Sequence, residues 1–192
     1  MELDKSLFFK IKDMNCEFRT LHDSDVSKEY VNDLKQQTQY ITNIPKNISI
    51  SSQKIYIKDI LCSKDDTICG LFINNKLVGT AGIQSSTLYL QYIEVPVKFV
   101  ATIGIYLFDK NYRGMKLGTT LVWVATYLYH NCVQVEWFGA GMKKENIPSL
   151  KSFLSCGYRK IYEDKENCKV LLNHSELTKP RFIKASTIRE VQ

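Results

Sequence analysis

The chain predicts a single α/β (α+β) domain, and three observations carry that prediction. Its 192 residues suit one hydrophobic core and put a two-domain reading at a disadvantage. Apolar spacing changes repeatedly between the helical period of 3.6 and the strand period of 2, so helices and strands alternate along the chain. A strand, a glycine-bearing turn and a helix then follow one another over residues 100–131.

Composition narrows the class. Hydrophobic residues make up 44%, aromatics 11% and charged residues 24%, which excludes disordered, collagenous and membrane chains. Lys and Arg number 26 against 20 Asp and Glu, a net charge of +6 that suits a phosphorylated ligand or simply solubility. Tyr89, Tyr92, Tyr106, Tyr112, Tyr127 and Tyr129 are not interleaved with a basic run, so no nucleic-acid partner is expected. Residues 1–5 are partly acidic and only Leu7, Phe8 and Phe9 follow as an apolar patch, unlike a signal peptide. No run approaches the roughly 18 apolar residues of a membrane span, so the expected compartment is cytoplasmic, with no membrane partner. Cys16, Cys62, Cys69, Cys132, Cys156 and Cys168 form no CxxC or CxC pair, and His22, His130 and His174 are scattered. Reduced thiols and no metal follow.

Residues 1–16 read as a lead-in, and Glu17 to Leu21 alternate as a first strand before the helix-cap residues His22, Asp23, Ser24 and Asp25. Val26, Tyr30, Val31 and Leu34 form one stripe of a helix over 26–37. After the break at Asn43, Ile44 and Pro45, Ser51 or Ser52 caps a second helix carrying Ile55, Ile57, Ile60 and Leu61. A hairpin joins 68–73 to 77–83 through Asn74, Asn75 and Lys76. An extended arm interrupted by Pro96 leads into a strand over 100–108. Leu117, Leu121, Val124, Ala125 and Leu128 mark a helix over 114–131. There follow a strand over 132–138, a helix over 147–156, strands over 158–162 and 168–172, and a polar tail over 173–192 that is either loosely held or a short helix.

The turn before the third helix reads Arg113, Gly114, Met115, Lys116, Leu117, Gly118, Thr119. Glycines there let the backbone approach a ligand, and the amides of a helix N-terminus suit pyrophosphate. The segment resembles the acyl-CoA loop of the GCN5-related N-acetyltransferases (GNAT), whose pattern is Arg or Gln, two residues, Gly, one residue, then Gly or Ala. Arg113 and Gly118 match the ends of that pattern, while Lys116 replaces the middle Gly. Gly114 is expected to relieve the turn and Lys116 to add a phosphate contact. Downstream, Asn146, Ser149, Phe153, Gly157 and Tyr158 look like the family's Asn-x-x-Ser or Ala helix ending in Gly-Phe or Gly-Tyr. The likeness runs over 17–172 and is nearest the subgroup of ribosomal-protein alanine and bacterial amino-sugar acetyltransferases.

The resemblance implies a mixed, strongly twisted sheet whose fourth and fifth strands, over 100–108 and 132–138, splay to admit acetyl-CoA. Backbone amides around Leu107 and Phe108 would pair with pantetheine, residues 113–119 would cradle the pyrophosphate, and Asn146 would reach the pantetheine arm. The family often has Glu where Thr102 stands and a Tyr acid where Phe153 stands. Ser149 is then the candidate proton donor to the departing thiolate, and Glu94 and Glu136 the candidate bases, with a water chain equally admissible. The implied function is acetyl-CoA-dependent N-acetylation of a small-molecule amine by a monomer or homodimer. Tyr30, Val31, Asn32 and Asp33 resemble a block in acetyltransferases of surface-glycan synthesis, and Lys28, Lys35, Lys46, Lys54, Lys58 and Lys98 lie near acceptor-side segments. Both favour a nucleotide-linked amino sugar over a protein N-terminus or polyamine. A non-catalytic acyl-CoA-binding module is the third reading.

Overall fold

The computed structural model describes residues 1–36, 48–108, 112, 114–184 and 189–191. Strands β1 (Ser6–Ile11), β2 (Met14–Thr20), β3 (Thr67–Ile73), β4 (Lys76–Ser86), β5 (Val100–Leu107), β6 (Trp137–Lys143), β7 (Arg159–Glu163), β8 (Asn167–Asn173) and β9 (Arg189–Val191) form one sheet. Its order is β7-β8-β6-β5-β4-β3-β2-β1-β9. The sheet is mixed: only β5 and β6 run parallel, and every other neighbour pair is antiparallel. The helices are α1 (Lys28–Gln36), α2 (Ile50–Cys62), α3 (Leu117–Val133) and α4 (Ile147–Leu154).

Helix α3 packs on one face of the sheet. Its residues Leu117, Leu121, Val122, Val124, Ala125 and Leu128 are buried with Phe18, Leu71, Ile83, Ile103 and Phe138 in the main core. Burying each such side chain stabilises the fold by roughly 1.5–3 kcal/mol before entropy is counted. Helices α1 and α2 cover part of the other face, where Val26, Tyr30, Val31 and Leu34 meet Ile57, Ile60, Ile68, Phe72 and Phe108. Asn74 and Asn75, at φ 48° and 65°, turn the β3–β4 hairpin in the left-handed conformation that asparagine tolerates.

Several sequence expectations are corrected. The lead-in contains β1, which pairs with β2, and the tail is not loose: β9 pairs with β1 and Ile183 bridges to Ile11. The cap of α2 is Ser49, whose hydroxyl accepts from the Ser52 amide at 3.1 Å while the Ser49 amide donates to the Ser52 hydroxyl. Ile55 faces outward and is exposed. The strand expected over 132–138 begins only at Trp137, because α3 continues through Val133 and stops at Gln134, φ 59°. The break expected at 43–45 and Lys46 lie outside the described residues.

Candidate active site

Strands β5 and β6 are paired only at Ala101–Phe138 and Thr102–Gly139, although β5 stays paired to β4 through Leu107 and β6 to β8 through Lys143. Beyond Thr102 and Gly139 the two strands therefore part, leaving a wedge that opens toward their C-terminal ends. Alternation turns the amides of Ile105 and Leu107 toward this wedge. The Phe108 amide instead donates to the Val78 carbonyl at 3.0 Å, so Phe108 contributes its buried ring and not an amide.

At the mouth of the wedge stands the N-terminus of α3. The Lys116 carbonyl accepts the Thr120 amide at 3.0 Å, and no side-chain cap is made by Lys116 itself. The amides of Leu117, Gly118 and Thr119 are thus the three that the helix itself cannot satisfy. A Cβ at Gly118 would stand 2.8 Å from Ser152 Oγ of α4, so glycine lets the two helices close on each other at this turn. Converging orphan amides, partial positive charge and a close-packed floor suit a pyrophosphate. Met115 is half-buried and Gly114 exposed at φ 78°. Gly114 thus takes the left-handed conformation that glycine favours, and Lys116 is left-handed as well at φ 61°. The Lys116 ammonium lies 5.4 Å from the Phe182 ring centroid. Arg113 lies outside the described residues.

On α4 the Asn146 side-chain oxygen accepts the Ser149 amide at 3.2 Å, capping the helix. Ser149 is half-buried one turn before Ser152, which places both on the face turned to α3. Phe153 is buried edge-to-face against Tyr158, whose hydroxyl shares a 2.7 Å hydrogen bond with Thr126 and whose acidity burial suppresses. Neither aromatic can release a proton into the wedge. Glu94 and Glu136 are exposed and lie on loops, not on strands. Glu136 precedes β6 at the end where β5 and β6 remain paired, away from the opening. Burial holds the thiols of Cys16 near 11 and of Cys69 and Cys156 near 12, so all three stay protonated at neutral pH and are poor nucleophiles.

Residues 31–158 match the profile of the Acetyltransferase (GNAT) family. The chain belongs to that family. It is accordingly an acyltransferase, an N-acetyltransferase with acetyl-CoA as donor, and the wedge and the α3 N-terminus fit the donor's pantetheine and pyrophosphate. No curated protein sequence matches significantly. Among solved structures, Mycobacterium smegmatis RimJ in complex with CoA-disulfide is similar at 15% identity and TM-score 0.72, over 93% of each chain. RimL, a ribosomal L7/L12 alpha-N-protein acetyltransferase, is similar at 12% identity and TM-score 0.70, over 88% of this chain and 99% of its own. The aminoglycoside acetyltransferase AAC(6')-Ib in complex with coenzyme A and kanamycin matches at 14% identity and TM-score 0.64, over 84% and 96%. Among the described residues no cluster of His, Cys, Asp and Glu can hold a metal, and no helix is long and apolar enough to cross a membrane.

Sequence reasoning missed Tyr106. This β5 residue points away from α3, its hydroxyl donates to the Asp33 carbonyl of α1 at 3.0 Å, and burial together with the Asp33 charge raises its pKa. It links α1 to the strand that lines the wedge. The only sequence signal was its place one residue before Leu107.

Proposed function

We propose that this acetyltransferase acts on the amine of a nucleotide-linked amino sugar in surface-glycan synthesis. The separation of β5 from β6 beside the start of α3, whose N-cap residue Lys116 makes no side-chain cap, is the observation that carries the donor half of this reading. The acceptor half is supported by charge: Lys28, Lys35, Lys58 and Lys98 are exposed in or near the acceptor-side segments, and a nucleotide sugar brings a second pyrophosphate. It is also supported by the α1 block of Tyr30, Val31, Asn32 and Asp33, now seen to adjoin the wedge through Tyr106. Free, unpaired thiols throughout suit a reducing, cytoplasmic setting.

Acetyl-CoA supplies an acetyl group as a thioester. The neutral amine attacks the carbonyl carbon, the C–N bond forms, the C–S bond breaks, the nitrogen loses its proton to water and the sulfur gains one. In this reading the Leu117, Gly118 and Thr119 amides fix the pyrophosphate, with Arg113 and Lys116 adding positive charge. The Ile105 and Leu107 amides orient the pantetheine and Asn146 borders it. Ser149 relays a proton to the thiolate and regains one from the water that took the amine's, and no carboxylate is required as base, since a bound neutral amine needs only to lose one proton.

Thiol release from acetyl-CoA, followed with a UDP-linked 4-amino sugar, a ribosomal N-terminal peptide and spermidine, tests the assignment. Turnover with the UDP-linked sugar is expected. Turnover confined to the peptide or to spermidine would refute the sugar while leaving acetyl transfer intact.

A further inference from the structure

The face of the sheet opposite α3 carries a row of glycines at one level. Gly82 of β4 is the register partner of Gly104 of β5, and Gly141 of β6 is the partner of Lys169 of β8. Thr102 pairs with Gly139, so Gly104 and Gly141, two residues on, stand level across the opening wedge. Among the described residues, a Cβ at Gly82 or at Gly104 would meet no atom within 4 Å. Gly82 and Gly104 therefore floor an uncovered strip of sheet, where the backbone itself is the contact surface. The strip is bounded on both sides. Beyond Gly82 its register partner Ile68 is buried under α1 and α2. On the other side Tyr89 lies over β6, its hydroxyl 3.4 Å from where a Cβ of Gly141 would stand, and the Lys169 ammonium sits 5.9 Å from the Tyr89 and 5.3 Å from the Tyr162 ring centroids.

Three arguments identify the occupant. The α3 face of the wedge is filled by core side chains, so an acceptor can reach the thioester only from this face. From β4 to the Tyr89 rim over β6 the strip spans at least about 10 Å, two strand spacings, and Lys169 of β8 stands at that rim, which accommodates a sugar ring followed by a phosphate. The residues that β4, β5, β6 and β8 turn to this face include Thr80, Gln84, Thr102, Lys143 and Lys169, and no carboxylate is among the described ones. Carboxylates stand at both ends of the strip: the Asp33 charge reaches Tyr106 at the α1 side, and Asp164 accepts the hydroxyl of Tyr162, one of the two rings beside the Lys169 ammonium.

Building on the proposed function, we propose that the Gly82–Gly104 floor seats the acceptor's sugar ring and that Lys169 receives its phosphate, which places the amine on the Tyr106 side. Gly104 and Lys169 thereby determine specificity. A polycation such as spermidine is disfavoured by Lys169, and a side chain at position 104 occupies the ring's place.

The test compares Gly104→Val, Lys169→Glu and Lys169→Arg with wild type. Valine suits a strand and its Cβ enters empty space, so Gly104→Val is expected to keep the wild-type melting temperature and acetyl-CoA affinity while raising KM for a UDP-linked 4-amino sugar at least about tenfold. Lys169→Glu is expected to raise the same KM about tenfold without affecting the free amino sugar, and Lys169→Arg to restore it. Unchanged KM in both Gly104→Val and Lys169→Glu overturns the inference. If wild type instead turns over spermidine or the peptide, the sugar class is refuted, and the floor stands only if Gly104→Val blocks that turnover. No turnover of any of the three amines overturns this inference together with the proposed function.

Discussion

Lys116 shows why one residue of the loop departs from the family pattern without closing the site. Its φ of 61° costs a non-glycine residue about 1 kcal/mol, while its ammonium lies 5.4 Å from the Phe182 ring centroid, a cation–π contact. Lys116→Gly is predicted to raise unfolding stability by up to about 1 kcal/mol in urea titrations and to weaken acetyl-CoA binding, a pairing of opposite signs that a purely structural lysine would not give. Ser149→Ala is predicted to lower kcat at unchanged acetyl-CoA Kd, since a proton donor acts on the leaving thiolate and not on ground-state binding. Equal kcat would remove Ser149 from the mechanism. His174 stacks on His130 with ring centroids 3.4 Å apart, and burial, then the His130 charge, lowers its pKa from 6.5. The unfolded chain then takes up this proton more readily than the folded one, so its contribution to stability is complete above pH 6.5 and is lost as pH falls below it toward the lowered folded value. Melting temperature should fall from pH 7 to pH 5, and less steeply in His174→Phe; an identical slope would count against this origin.

Among the elements, those governed by local pattern were legible and those governed by distant pairing were not. The stripe of Val26, Tyr30, Val31 and Leu34, the Asn74–Asn75 turn and the α3 core positions declared themselves, because helix period and turn chemistry are local. Strand β1 did not, since Leu7, Phe8 and Phe9 make a short run whose partners are the neighbouring β2 and the far end of the chain. The start of β6 was misplaced because Val133, Val135 and Trp137 alternate like a strand although α3 still holds the first of them. Local pattern offered Ser51 or Ser52 as the cap, and only backbone geometry selects Ser49. The donor-site candidates rest on a spaced motif, whereas Tyr106 and the glycine row rest on cross-strand register, which no local pattern shows. The tail is held by Glu190, which accepts from Tyr127 and Asn131 at 2.9 Å each and pairs with Lys5 at 3.4 Å. Glu190→Ala should destabilise by about 0.5–1 kcal/mol in urea melts at unchanged m-value, since the carboxylate is partly exposed.

For the molecule as a whole, the described strands form one nine-stranded sheet that parts between its parallel neighbours β5 and β6, and the start of α3 stands beside β5. Pairing of β5 to β4 and of β6 to β8 braces both sides of the opening. The net charge of +6 attracts phosphorylated ligands over distances of about a Debye length, so both substrates should bind more weakly as salt rises. The claim on which the rest depends is that acetyl-CoA's pyrophosphate rests on the first turn of α3. Thr119→Glu tests it directly, because a carboxylate in a first helical turn favours the helix by roughly 0.3–1 kcal/mol yet repels a phosphate there. Isothermal titration with acetyl-CoA, alongside thermal unfolding of both proteins, should show wild-type binding and a variant weakened by about ten- to a hundredfold, at a melting temperature equal to or above wild type. Equal acetyl-CoA affinity in a folded Thr119→Glu protein, or no binding by the wild type, would contradict the account.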